Sequence, residues 1–166
     1  TTETPQSIAA VATIPNWSLS DIKSRKVIVA LDGVQDPGNV GAILRLCLGF
    51  NAGLVLIDSA DVTNPKAIRS SVGAMFQVPW IHISTKESSK ILKDLNLPIY
   101  RLEKKRGATN VKKSKLKKPL ILIAGSEGRG IQSKIKGQSI FIDHDDALES
   151  LNVGHSLAIA LSRLYT

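Results

Sequence analysis

Short, nearly unbroken apolar runs alternate along this chain with longer stretches in which apolar residues recur every three or four positions. Val27–Leu31, Leu54–Ile57 and Leu120–Ala124 consist almost wholly of Val, Ile, Leu and Ala, the pattern of strands buried on both faces. Trp80–Ile83, Pro98–Leu102 and Ile140–Ile142 read as further strands. Asn39–Gly49 carries Ile43, Leu44, Leu46, Cys47 and Leu48 and predicts a helix, and Lys86–Leu95 sets Ile91, Leu92 and Leu95 on one helical face. Pro65–Ser71 and Ile131–Ile135 read as short helices. The closing helix, Leu151–Tyr165, has Val153, Leu157, Leu161 and Leu164 as its apolar face. Its small residues Gly154, Ser156, Ala158, Ala160 and Ser162 would let it approach a neighbour closely. Thr1–Lys26, with Pro5 and Pro15 and no clear period, reads as a lead-in, and a chain that starts at Thr suggests that an upstream domain is missing. Strands alternating with helices argue an α/β domain over residues 27–166, with a mostly parallel sheet and helices on both faces.

Three polar clusters follow apolar runs: Asn39-Val40-Gly41-Ala42-Ile43-Leu44-Arg45, Gly125-Ser126-Glu127-Gly128-Arg129-Gly130 and Ser150-Leu151-Asn152. Open α/β sheets bind ligands beyond the carboxyl ends of their strands, so these loops predict one site. Two familiar nucleotide fingerprints fail there. A P-loop needs Lys and Ser or Thr after the second glycine of Gly125-xxxx-Gly130, where Ile131 and Gln132 stand; a dinucleotide motif from Gly128 needs glycine or alanine at its third position, where Ser133 stands.

Charge sharpens the picture. The net charge is +8, and the eight basic residues from Lys104 to Lys118 account for all of it, because the other 14 basic residues match the 14 acidic ones. A basic segment on a neutral domain predicts a polyanion partner, and its alternative is a solvated lysine-rich loop. No apolar stretch approaches the roughly 20 residues of a membrane span, and no secretory signal pattern opens the chain. The single Cys47 lies in an apolar helical pattern, which suits a buried hydrophobe and a reducing, intracellular setting, cytoplasmic or organellar (mitochondrial) alike. His82, His144 and His155 lack ligand spacing, so no metal is expected. Asp143, His144, Asp145 and Asp146 read as a solvated acidic loop rather than a metal site.

A longer pattern does fit. Asp36-Pro37-Gly38-Asn39-Val40-Gly41-Ala42-Ile43-Leu44-Arg45 resembles the first motif of the SpoU-like (TrmH-type) RNA 2′-O-ribose methyltransferases of the SPOUT superfamily. Ser70-Ser71-Val72-Gly73-Ala74 with Val78-Pro79 resembles their intervening segment, Ile123–Ile131 their second motif, and Ser150-Leu151-Asn152-Val153 their third. Asp143 stands where the family often has proline, and Gly154-His155 replaces a small or aliphatic pair. The resemblance implies a C-terminal trefoil knot, an exception to the near absence of knots. It implies S-adenosylmethionine as cofactor, contacted by Gly125, Ile142 and Leu151, and a homodimer formed through helices near the knot. It further implies methylation of a ribose 2′-hydroxyl in RNA, with ribosomal RNA expected ahead of transfer RNA. A catalytically silent RNA-binding knot domain in ribosome assembly is the rival.

Under that resemblance the catalytic candidates are Asn39, Arg45, Glu127, Ser150 and Asn152. Asn39 reads equally as a helix N-cap. Glu127 would orient Asn39 or Arg45, or else sit as an acid at the N-terminus of a following helix. Ser150 and Asn152 could cap the last helix, line the site, or do both. Arg45 is described for the family as activating the ribose hydroxyl, but a guanidinium keeps its proton at ordinary pH. Stabilising a developing alkoxide, or clamping the adjacent phosphate whose oxygen takes the proton, fits its chemistry better. RNA contacts are expected from Arg45, Lys104, Lys105, Arg106, Lys112, Lys113 and Lys115.

Overall fold

A computed structural model describes residues 10–165 of the chain. Seven strands form one sheet in the order β3-β2-β1-β6-β4-β7-β5, every neighbouring pair parallel. They are β1 (Val27–Asp32), β2 (Gly53–Ile57), β3 (Trp80–Ile83), β4 (Ile99–Leu102), β5 (Thr109–Asn110), β6 (Leu120–Gly125) and β7 (Gln138–Phe141). Five helices accompany them: α1 (Leu19–Lys23), α2 (Pro37–Gly49), α3 (Pro65–Ser71), α4 (Thr85–Asp94) and α5 (Val153–Leu164). A 3-10 turn spans Ala74–Phe76. Among the described residues no helix is long and apolar enough to cross a membrane.

Strand side chains alternate between faces, so an all-apolar strand feeds two cores. Val27, Val29 and Leu31 of β1, with Leu54, Leu56, Leu120 and Leu122, pack against α2 and α5. Ile28 and Ala30, with Val55, Ile57, Ile121 and Ile123, face the other way toward Ile22 of α1 and Leu92 of α4. Helices thus cover both faces, and the expected α5 stripe of Val153, Leu157, Leu161 and Leu164 is buried. Each such side chain contributes about 1.5–3 kcal/mol by leaving water. Cys47 is fully buried, and that burial pushes its thiol up to about 12, which makes it an inert core residue.

Two segments besides β5 depart from the sequence reading. Within the stretch expected to be a lead-in, α1 forms because Ser18 and Asp21 make a reciprocal capping box and Ile22 finds the core. Residues 131–135, expected to be helical, are irregular. Their backbone is taken by side chains: Ser133 N–H donates to the buried Asp32 Oδ2 at 2.7 Å, and the Ser133 and Ile135 carbonyls accept from Arg101 Nη1 at 3.1 and 2.5 Å. Those bonds replace the i to i+4 ladder that a helix needs.

Gly41 lets α2 cross α3 closely. A Cβ there would overlap Ser70 Oγ and the Ala67 carbonyl.

Candidate functional site

Because all strands run the same way, Asp32, Leu102, Gly125 and Phe141 end at one edge of the sheet, and the polar loops meet beyond it. Asn39, Glu127 and Asn152, up to 113 positions apart, form a hydrogen-bonded triangle. Asn152 Nδ2 donates to Glu127 Oε1 at 2.6 Å and to Asn39 Oδ1 at 3.1 Å, and Asn39 Nδ2 donates to the same Glu127 oxygen at 3.3 Å. A carboxylate only accepts, so both amides have one consistent orientation. Asn152 Oδ1 is left free to cap α5, accepting from the N–H groups of Gly154 at 2.9 Å and His155 at 3.3 Å. Asn152 therefore caps α5 and ties it to the triangle at once.

The two open readings of Asn39 and Glu127 are resolved by geometry. Helix α2 starts earlier than expected, at Pro37, and Asp36 caps it through Gly38 N–H at 3.1 Å, so Asn39 is not the cap. No helix follows Glu127. The loop instead turns back on itself, with Gly130 N–H donating to Ser126 O at 2.8 Å. Gly125 makes that turn possible, since a Cβ on it would overlap the backbone of Gly130 and Ile131. Replacing Gly125 therefore disrupts the loop before it touches any ligand.

Beside the triangle lies a cleft of about 270 Å³, bordered by Leu102, Gly125, Glu127, Ile142, Ser150 and Leu151. It joins the ends of the adjacent strands β4, β6 and β7 to the segment entering α5. All three expected cofactor contacts, together with Glu127 and Ser150, are in its wall. Arg45 is not. It stands on the exposed stripe of α2 with Ala42 and Gly49, and among the described residues it makes no hydrogen bond or ion pair. A free guanidinium on the outer face of α2 is a group available to an incoming partner.

The cleft wall also contains a residue that the sequence reading passed over. Glu103, just past β4, accepts from Arg101 through both oxygens (2.9 and 3.2 Å), from Lys105 at 2.7 Å and from Ser139 at 2.6 Å. Burial pushes its carboxyl up, but the bonds from Arg101, Lys105 and Ser139 outweigh this and hold it at about 2. Arg101 in turn grips residues 133 and 135, so this network braces the loop between β6 and β7 against β4. The signal was the strand alternation that places Arg101 and Glu103 on one face.

The basic segment differs along its length in what it pairs with. Lys104 and Lys105 sit at the cleft end of β4, where Lys104 pairs with Asp146 at 2.9 Å and Lys105 with Glu103. Arg106 is exposed. Lys112, Lys113 and Lys115 are exposed on the path back toward the start of β6. Among the described residues no group of three or more His, Cys, Asp or Glu side chains is arranged to hold a metal ion.

Comparison with known proteins agrees with this arrangement. Residues 26–162 match the SpoU rRNA Methylase family. Over 98% of its length the chain is 32% identical to the 23S rRNA (guanosine(2553)-2′-O)-methyltransferase RlmP of Bacillus subtilis, of which it covers 66%. Its fold is similar to the SpoU methyltransferase AviRb from Streptomyces viridochromogenes (TM-score 0.80, 25% identity, 89% of this chain and 62% of that one). It is equally similar to the AdoMet-bound rRNA methyltransferase from Sinorhizobium meliloti (TM-score 0.80, 25% identity, 88% of this chain and 59% of that one). The chain spans less than two thirds of the length of each of these proteins. With the family match running through every strand of the sheet and both walls of the cleft, the chain belongs to the SpoU rRNA methylase family.

Proposed function

We propose that this domain methylates a ribose 2′-hydroxyl of RNA, with ribosomal RNA as the substrate class and S-adenosylmethionine as the methyl donor. The observation that carries the proposal is the cleft bounded by Gly125, Ile142 and Leu151, with Glu127 of the Asn39–Glu127–Asn152 triangle in its wall. The residues present fit a cofactor of that kind: the lining mixes apolar side chains with loop backbone, and one buried polar atom of the wall, His144 Nε2, has no partner. When bound, S-adenosylmethionine supplies an electrophilic methyl group on a sulfonium sulfur and departs as S-adenosylhomocysteine.

The chain's own residues position and polarise the acceptor. Glu127, fixed by two amide donors, locks the loop after β6 to the starts of α2 and α5, so the walls of the cleft cannot drift apart. Arg45 reaches out as a planar fork that stabilises the developing alkoxide or holds the neighbouring phosphate, whose oxygen takes the hydroxyl proton. Ser150 lines the entrance. Lys104 and Lys105 at the rim, with Arg106, Lys112, Lys113 and Lys115, carry the RNA backbone. The Lys104–Asp146 pair, exposed on both sides, is weak enough to exchange for phosphate.

The same reading includes a C-terminal trefoil knot and a homodimer. Support comes from the family, and for the dimer from the outer face of α5, where Ile159 is 41% exposed beside Ala158 and Ser162. The test is calorimetry. S-adenosylmethionine and S-adenosylhomocysteine should bind with measurable heat and more tightly than NAD or ATP; equal or absent binding of all four would overturn the reading.

A further inference from the structure

Four buried side-chain atoms among the described residues lack a hydrogen-bond partner: Trp17 Nε1, Arg25 Nε, Ser133 Oγ and His144 Nε2. Only the last belongs to a residue of the cleft wall. His144 follows Asp143, one of the two places at which this sequence departs from the family pattern. Its Nδ1 lies 2.9 Å from the Ile142 carbonyl oxygen. A carbonyl can only accept, so Nδ1 carries the hydrogen, and in the neutral form of the ring Nε2 keeps the lone pair. The protein does not satisfy that lone pair. Asp146, an acid and no donor, is held by Lys104 at 2.9 Å, and Lys104 is thereby engaged. A buried acceptor is costly to leave unmade, and a ligand that brings the missing donor recovers the cost.

We propose that His144 is a cofactor-binding residue whose Nε2 accepts a hydrogen bond from a hydroxyl or amino group of S-adenosylmethionine. The proposal rests on the cofactor reading above and adds to it a contact made by a side chain of this sequence. Hydroxyls of the ribose and amines of the adenine or the amino-acid tail are the donors available.

The experiment measures S-adenosylhomocysteine binding by calorimetry for the parent, His144→Phe and His144→Gln. Phenylalanine keeps the ring's bulk without the acceptor and should weaken binding about fivefold, as for one neutral hydrogen bond. Glutamine, whose amide oxygen reaches the Nε2 position, should stay within about twofold of the parent. Repeating the series with 5′-methylthioadenosine, which lacks the amino-acid tail, locates the donor. A deficit that persists assigns it to the nucleoside, and one confined to S-adenosylhomocysteine assigns it to the tail amine. Nitrogen NMR of the three histidines in mildly alkaline buffer should find His144 protonated at Nδ1, with the Nε2 resonance moving on addition of S-adenosylhomocysteine. Unchanged affinity in the phenylalanine variant, equal losses in both variants, or an Nε2-protonated tautomer would each sink the proposal while leaving the cofactor reading intact. A parent protein that binds no S-adenosylhomocysteine would remove both.

Discussion

Two arginines of this domain sit in opposite circumstances, and each predicts a different experiment. Arg45 is exposed and unpaired among the described residues, off the cleft wall. Arg45→Ala should therefore leave S-adenosylhomocysteine affinity nearly unchanged while single-turnover transfer to RNA falls about 100-fold or more, as for loss of a preorganised charge. Arg45→Lys should recover little, because an ammonium does not reproduce the planar fork. Transfer within a few-fold of the parent in both variants would make Arg45 a bystander. Arg101, by contrast, is committed to Glu103 and to the backbone of residues 133 and 135. The folded state holds Glu103 at about 2 against an ordinary 4.5. A depressed carboxyl stabilises the fold above its ordinary range, and that contribution disappears as pH falls through the folded value. Glu103→Gln should cost roughly 1–2 kcal/mol at neutral pH, less than the full shift implies because the group is partly solvated. It should also flatten the decline in stability across the acid window from the ordinary value down to the folded one, as read by urea unfolding at stepped pH.

Among the elements, helix α2 is held by its crossing with α3 as much as by its own apolar face. The Gly41 position has no room for a methyl group, and the obstructing atoms include the Ala67 carbonyl and the Ser71 amide. Gly41→Ala should destabilise the domain by about 1–3 kcal/mol despite alanine's better helix propensity, a sign that thermal unfolding would reveal. The strands were legible because an unbroken run of Val, Ile and Leu bounded by turn residues has few other homes. β3 and α3 match their expected limits, and β1, β2 and β6 differ by one residue at an end. β5 was not legible: Thr109 and Asn110 are polar and join the sheet through backbone pairing with β7 alone. Residues 131–135 misled because Ile131 and Ile135 have helical spacing, while the bonds that override it come from Asp32 and Arg101, distant in sequence. The candidate site was legible as three loops because each follows or precedes a recognisable element. Its brace at Glu103 was not, since its meaning depends on Ser139 and Lys105 folding back onto it.

At the scale of the molecule, the excess charge runs from the cleft edge of the sheet to the opposite edge, because the segment from Lys104 to Lys118 must return to start β6 parallel to its neighbours. Changing Lys112, Lys113 and Lys115 to Gln should weaken RNA binding by similar factors across sequences. It should also flatten the salt dependence by roughly 0.7 per lost contact on single strands. An unchanged slope in a filter-binding titration would mean that these lysines are merely solvated. Strand order has one more consequence, for the chain as it is synthesised. β1 can pair with β2, and β2 with β3, as soon as they emerge, but β4 has no ladder partner except β6 and β7, both made after it. A nascent chain that has reached the basic segment therefore displays half a sheet with β1 open on the side β6 will fill, and β4 waiting unpaired. Insertion of β6 between them closes two ladders at once, and the cleft is completed later still, once Ile142, Ser150 and Leu151 have followed β7.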